Sequence, residues 1–232
     1  MEKITVTQKG VNNLYAAYIY EKIKERFSFL PAQFDIGCDG DRTRVEFRIE
    51  GKYCPYVRRA TEANVADVLA IGYKYRFFQK RLPLPMLSAE EKTILLAALT
   101  AADYRDDYAH IFSRVKGYRE YVIDGVFNFR LNDLKERWAD VSAYISPEFN
   151  GAYLESFLSF LIDEGQGKAY LKDGKVYDGD YRVSEKSKLF GEYSVIGELI
   201  LTGAKKILCY DEPAEDVGRF LHKYYKENAV FY

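Results

Sequence analysis

Residues 123–145 read Ile123-Asp-Gly-Val-Phe-Asn-Phe-Arg-Leu-Asn-Asp-Leu-Lys-Glu-Arg-Trp-Ala-Asp-Val-Ser-Ala-Tyr-Ile145, and their apolar spacing sets the fold class. Ile123, Phe127, Leu131, Leu134, Trp138, Val141 and Ile145 recur every three or four residues, the period that lines one face of an α-helix. A single buried helix over 123–145 is expected at the centre of the fold. Ser146-Pro147 then reads as an N-cap followed by a proline at the first helical position. Phe149, Tyr153, Phe157, Phe160 and Leu161 give the following helix its apolar face, so two antiparallel helices joined by a minimal turn are expected.

Further from this centre the period changes. Ile4 and Val6 alternate with polar neighbours as a strand, and Val11, Leu14, Tyr15, Tyr18, Ile19, Ile23 and Phe27 line a helix. Phe34, Ile36 and Cys38, then Val45, Phe47 and Ile49, alternate on either side of Asp39-Gly40 as a hairpin. Residues 1–52 therefore read β-α-β-β. From Val57 to Leu82 the pattern is one long helix containing Gly72, stopped by Leu82-Pro-Leu-Pro85 because proline removes donors and forces its predecessor to extend. Ser88-Ala-Glu-Glu91 has the form of a capping box and opens a helical region that runs through Tyr108 and Phe112 to Gly117. After Gly165, Ala169 and Leu171 alternate up to Asp173-Gly174 and Val176, a two-residue hairpin signal. Residues 192–203 have helical spacing, Lys206 to Tyr210 reads as a strand, and Asp211-Glu-Pro213 caps a last helix bearing Val217, Phe220, Leu221, Tyr224 and Tyr225. The expected fold is α+β in three segments: 1–52, a helical region over 53–164, and a β-β-α-β-α unit over 165–232 that can close with the others into one compact globule.

The 232 residues carry 34 Lys plus Arg against 35 Asp plus Glu, a net charge of −1. That balance excludes the extreme basicity of a nucleic-acid coat and the acidity of a solvating tail. A chain of this size buries roughly 70–75% of its unfolded surface and needs no covalent staple. Cys38, Cys54 and Cys209 are odd in number and lack paired metal-site spacing, so reduced thiols and a cytoplasmic location are expected. The first residues offer no apolar signal core, and no segment reaches the ~20 apolar residues of a membrane span.

Catalytic signatures are missing from the sequence. His110 and His222 each lack a ligand-type residue at helical spacing, and there is no Gly-x-Ser-x-Gly, Walker loop or Gly-x-Gly-x-x-Gly. No catalytic residue is assigned and no cofactor is expected. Asp39-Gly40-Asp41 and Asp178-Gly179-Asp180 pair carboxylates on tight turns, an arrangement that can hold Mg²⁺ or Ca²⁺. Asp and Gly are equally the residues that turn chemistry selects by itself. Residues 52–82 hold seven basic side chains against two acidic ones, a balance of +5, with Tyr73, Tyr75, Phe77 and Phe78 interleaved. Arg58, Arg59, Lys74, Arg76, Lys80 and Arg81 are thus candidates for phosphate contact beside stacking rings, against the alternative of a solvated basic helix. The 21 Tyr and 15 Phe exceed what one core requires, and tyrosine suits an interface as well as a core boundary.

Gly125-Val-Phe-Asn-Phe-Arg-Leu131, the helical pair over 123–163, and Val195-Ile-Gly-Glu-Leu-Ile-Leu-Thr-Gly-Ala-Lys-Lys-Ile-Leu208 together resemble the YtxC-like family of sporulation-associated proteins of endospore-forming bacteria, over roughly residues 118–228. The resemblance implies a cytoplasmic protein with no assigned activity and no catalytic residues to carry over. Gly203-Ala204 departs from the family's proline-containing turn, and Ala229-Val-Phe-Tyr232 stands where members carry cysteines, so a metal or redox role of such a tail does not transfer. The leading functional expectation is a non-enzymatic interaction protein whose helical centre offers aromatic surface to a protein partner or a second copy. A nucleic-acid binder using helix 57–81 is the alternative, and a metal-assisted enzyme using an Asp-Gly-Asp turn the third reading.

Overall fold

A computed structural model describes residues 1–11 and 13–232, and the chain is α+β. It divides into two compact units, Met1–Lys74 with Tyr104–Trp138, and Tyr75–Asp103 with Ala139–Tyr232.

The first unit holds β1 (Glu2–Lys9), α1 (Leu14–Phe27), β2 (Ala32–Asp39) and β3 (Arg42–Ile49), in the β-α-β-β order that the alternation predicts. Its sheet has the order β2-β3-β1-β4, where β4 (Glu120–Val122) pairs parallel to β1. The sequence reading did not anticipate β4, whose three residues are too few for a period to emerge. Antiparallel register sets Ile4 opposite Phe47 and Val6 opposite Val45, and all four are fully buried beneath α1. Asn13, not Val11, starts the helix: its side chain accepts from the Tyr15 amide, while Val11 is 60% exposed.

The long helix begins at Cys54 and is not uniform. It runs as α2 (Cys54–Asp67), a π-helical segment (Val68–Tyr73) and α3 (Lys74–Arg81). Gly72 lies in this wider turn, and a side chain is excluded there because a Cβ would stand 2.5 Å from Cε1 of Tyr15. After α4 (Ala89–Ala102), α5 (Tyr104–Val115) packs on α2 and on the π-helical segment. The stripe over 123–145 makes two helices instead of one, α6 (Ile123–Arg130) and α7 (Asn132–Tyr144). Leu131 breaks it with φ −118° and ψ 33°, and Asp133 takes the Leu134 amide on its own carboxylate, the local competition that makes Asn and Asp poor helix interiors. Ile123, Leu131, Leu134 and Trp138 are nonetheless buried, so the apolar face survives the break.

In the second unit the helix expected after Ser146-Pro147 starts later, as α8 (Gly151–Glu164), with Asn150 accepting from Ala152 and Tyr153. The connection is accordingly longer than a minimal turn. Its buried face is Leu154, Leu158 and Ile162, whereas Tyr153 and Phe160 are 60% and 59% exposed. The aliphatic i, i+4, i+8 series wins the core and turns the aromatic series outward. The Ser88 capping box of α4 forms as expected, with Glu91 N donating to Ser88 Oγ and Ser88 N donating to Glu91 Oε2. β5 (Lys168–Lys172) and β6 (Lys175–Tyr177) make the predicted hairpin, followed by α9 (Val195–Thr202), β7 (Lys206–Cys209) and α10 (Glu215–Phe220). A strand absent from the sequence reading closes the chain, β8 (Ala229–Phe231), so the sheet has the order β6-β5-β7-β8. α4 packs on α8 and α9, and α9 packs on β6.

Candidate functional site

Alternation divides the second sheet into two unlike faces. Ala169, Leu171, Val176, Ile207 and Cys209 point inward and are buried. The register places Lys168 beside Lys206, Tyr170 beside Tyr177 and Leu208, and Lys172 beside Lys175. With a side-chain period of two, these residues, Tyr210 and Tyr232 share the opposite face. There the tyrosine rings form a file: Tyr181 stacks on Tyr170 at 4.0 Å, Tyr170 and Tyr210 lie 6.3 Å apart, and Tyr210 and Tyr232 5.4 Å apart, with interplanar angles of 19°, 17° and 15°. Tyr181, Tyr210 and Tyr232 are 59%, 40% and 75% exposed.

The turns that build this face explain several charged residues. Asp173 and Gly174 have φ of 51° and 68°, as a two-residue hairpin loop with both central residues left-handed requires. The Asp173 amide also donates to Asp211 Oδ2 at 2.7 Å, tying the hairpin to the end of β7. Asp178 Oδ1 accepts from the amides of Asp180 and Arg182 at 2.9 and 3.0 Å. That Asx turn carries Tyr181 at φ 59°, an uncommon conformation for a bulky residue, and delivers its ring onto Tyr170. The Tyr181 and Tyr210 hydroxyls lie 3.3 Å apart, a contact that raises the Tyr181 phenol above its ordinary pKa.

Four lysines flank the file. Lys168, Lys172, Lys175 and Lys206 are all exposed, and none has an ion pair among the described residues. The outer face of the first sheet is the reverse. Glu46 gathers Lys3 at 2.6 Å, Arg44 at 2.7 Å and Arg48 at 3.1 Å, and Asp39 takes a further contact from Arg44 at 3.1 Å. The hydrogen bond from Lys3 holds the Glu46 carboxyl below its ordinary value. One face thus pairs its cations with carboxylates and the other does not.

The six basic candidates of the long helix do not form one surface. Lys74 is 1% exposed, and its Nζ lies 2.7 Å from Oδ2 of the equally buried Asp107, which also accepts from Trp138 Nε1 at 3.0 Å. It belongs to the core of the first unit and is withdrawn as a phosphate contact. Arg58 is half-buried and pairs with Glu2 at 3.3 Å. Arg59, Arg76, Lys80 and Arg81 are exposed, with Arg81 lying 4.5 Å over the Phe77 ring. Among the acidic candidates, Asp39 sits at the exposed β2–β3 turn with Asp41, engaged by Arg44, and Asp178 and Asp180 shape the loop before Tyr181. His110 Nε2 lies 3.1 Å from Asp133, and His222 stacks at 5.1 Å on Phe231.

Buried and half-buried carboxylates serve as latches. Glu62 Oε1 accepts from Gly117 N at 2.6 Å and from the Tyr121 hydroxyl at 3.2 Å. Tyr104 donates to Asp67 at 2.5 Å, and burial together with that carboxylate raises its phenol pKa. Glu198 accepts from Ser184 Oγ, Lys186 N and Ser187 N. The sequence reading does not single out the tyrosine file, although Tyr170, Tyr177 and Tyr210 each stand one residue from a buried strand position. No family model, curated protein or solved structure matches the chain.

Proposed function

We propose that this chain is a non-enzymatic accessory protein of the YtxC-like kind, cytoplasmic and linked to sporulation, that acts by binding, and that the outer face of its second sheet is the binding surface. One observation carries the reading: an ordered file of four tyrosines, three of them exposed, lies on the outer face of a regular sheet. Stacked, conformationally restrained rings expose much apolar area at small entropic cost, which is why Tyr is enriched where proteins bind. The buried acids of both units favour binding over chemistry, since Glu62, Asp107 and Glu198, like the half-buried Asp67, are each engaged in bonds that fasten the fold. No helix among the described residues is long and apolar enough to cross a membrane.

The test compares the unmodified chain with a Tyr210→Ala plus Tyr232→Ala variant of unchanged circular dichroism. Sedimentation velocity reads self-association, and affinity capture from cells, with protein and nucleic acid both assayed, reads partners. Association present in the parent and lost in the variant is expected. An identical sedimentation profile and an identical captured set in both would refute the reading.

A further inference from the structure

We infer that the second sheet's outer face binds single-stranded nucleic acid, with bases stacking on exposed tyrosine rings and lysines meeting the phosphates. The inference rests on the binding reading above and names its partner. Two features must be satisfied together. The terminal rings of the file, Tyr181 and Tyr232, each stack on one neighbour and are 59% and 75% exposed, so each offers a π-face to a planar group. The lysine pairs Lys168/Lys206 and Lys172/Lys175 lie on either side of Tyr170, four residues apart along β5, or about 13 Å at the rise of a strand.

Unpaired lysines on both flanks call for a ligand carrying repeated negative charge, and the rings between them for one carrying repeated flat apolar groups. A neutral sugar chain meets only the second requirement, and an acidic peptide without aromatic side chains only the first. A single strand of nucleic acid supplies both in every residue, because each base has a face to stack and each linkage a phosphate. A duplex hides its base faces, so the single strand is the form that fits. The contrast with the first sheet gives the charge argument its weight. There Lys3, Arg44 and Arg48 converge on Glu46, whereas on the second sheet the strand positions of the outer face include no carboxylate at all. The nearby acids, Asp173, Asp178, Asp180 and Asp211, lie in the turns, where Asp178 and Asp211 accept backbone amides.

The experiment is a fluorescence-anisotropy titration of the full chain with labelled oligo-dT and oligo-U of about 12 nucleotides, and with a duplex of the same length. Binding of both single strands at about 50 mM salt, tighter than the duplex, is expected. If all four lysines neutralise phosphates, affinity should fall about fiftyfold between about 50 and 200 mM salt. Tyr181→Ala or Tyr232→Ala should weaken binding by about fivefold to a hundredfold while Tyr232→Phe keeps it, since stacking needs the ring and not the hydroxyl. Lys168→Ala plus Lys206→Ala should flatten the salt dependence. Absence of oligonucleotide binding at low salt overturns the inference, as does binding that ignores the tyrosine substitutions. If oligonucleotides fail to bind while self-association or protein capture is still lost on Tyr210→Ala plus Tyr232→Ala, the partner is a protein and the binding reading stands alone. If neither depends on these rings, both fall.

Discussion

Asp107→Leu is expected to be among the most damaging single substitutions in the first unit, and its cost can be worked from the contacts. Asp107 is 2% exposed and its Oδ2 takes both Lys74 Nζ at 2.7 Å and Trp138 Nε1 at 3.0 Å. Removing the carboxylate takes the 2.7 Å ion-pair partner from a buried ammonium, which costs about 3–5 kcal/mol, because the desolvation of that ion is then offset less. The reverse change, Lys74→Met, should cost less: the carboxylate keeps the indole N–H and has the Arg137 guanidinium 4.0 Å away. The double variant removes both charges and takes the Asp107 acceptor from the Trp138 N–H, at a cost of about 1–3 kcal/mol. It should therefore be more stable than Asp107→Leu alone. Urea unfolding followed by the fluorescence of Trp138, the single tryptophan, reads the event beside the pair itself. A double variant as unstable as the sum of the singles would refute the coupling, and an Asp107→Leu cost below about 1 kcal/mol would refute the burial argument.

Gly72→Ala should destabilise the first unit by about 1–3 kcal/mol, since its Cβ would meet the Tyr15 ring at 2.5 Å, and Tyr15→Leu in the same chain should recover part of the loss; thermal melts of the two variants check this. In the native protein one thiol should alkylate quickly at about pH 8, because Cys38 is exposed while Cys54 and Cys209 are buried and burial pushes the Cys209 thiol up to about 11; intact mass after brief labelling reads the number modified. Glu46 has its folded pKa depressed by Lys3, so its contribution is full above its ordinary 4.5 and is lost as pH falls through the lower folded value. Lys3→Met should flatten that acid-side decline by at most about 1 kcal/mol, measured as urea midpoints against pH.

The α+β class was legible because segments with one period announce themselves, as the helical spacing of Leu14 to Phe27 and the alternation of Val45, Phe47 and Ile49 do. What escaped was decided by single residues or by distant partners. The stripe over 123–145 keeps its face across Leu131, so periodicity carries no mark of the break, which lies in the backbone of Leu131, with Asp133 satisfying the Leu134 amide in the first turn that follows. The face of α8 was misread because aromatic and aliphatic series run side by side on it, and only the core decides which is covered. Lys74 illustrates the same blindness for charge: within the sequence it is one more basic residue of a basic segment, and its partner Asp107 lies on a separate helix.

The candidate surface was hidden for a related reason, and the reason bears on what it does. Tyr170, Tyr181, Tyr210 and Tyr232 belong to segments that become neighbours only when β7 slots parallel to β5 and β8 parallel to β7. A stack of rings is a property of that register and of the Asx turn at Asp178, not of any local string. The structural cost is visible at Tyr181, held at φ 59° so that its ring can reach Tyr170. A core-boundary role would require these rings to be covered, yet three of them are at least 40% exposed, and Lys168, Lys172, Lys175 and Lys206 beside them have no ion pair among the described residues, although Arg182 pairs with Asp180 at 3.5 Å. Strained backbone, ordered apolar surface and unneutralised charge each oppose stability when left in water. Their coincidence on one face of one sheet is what a bound partner would relieve.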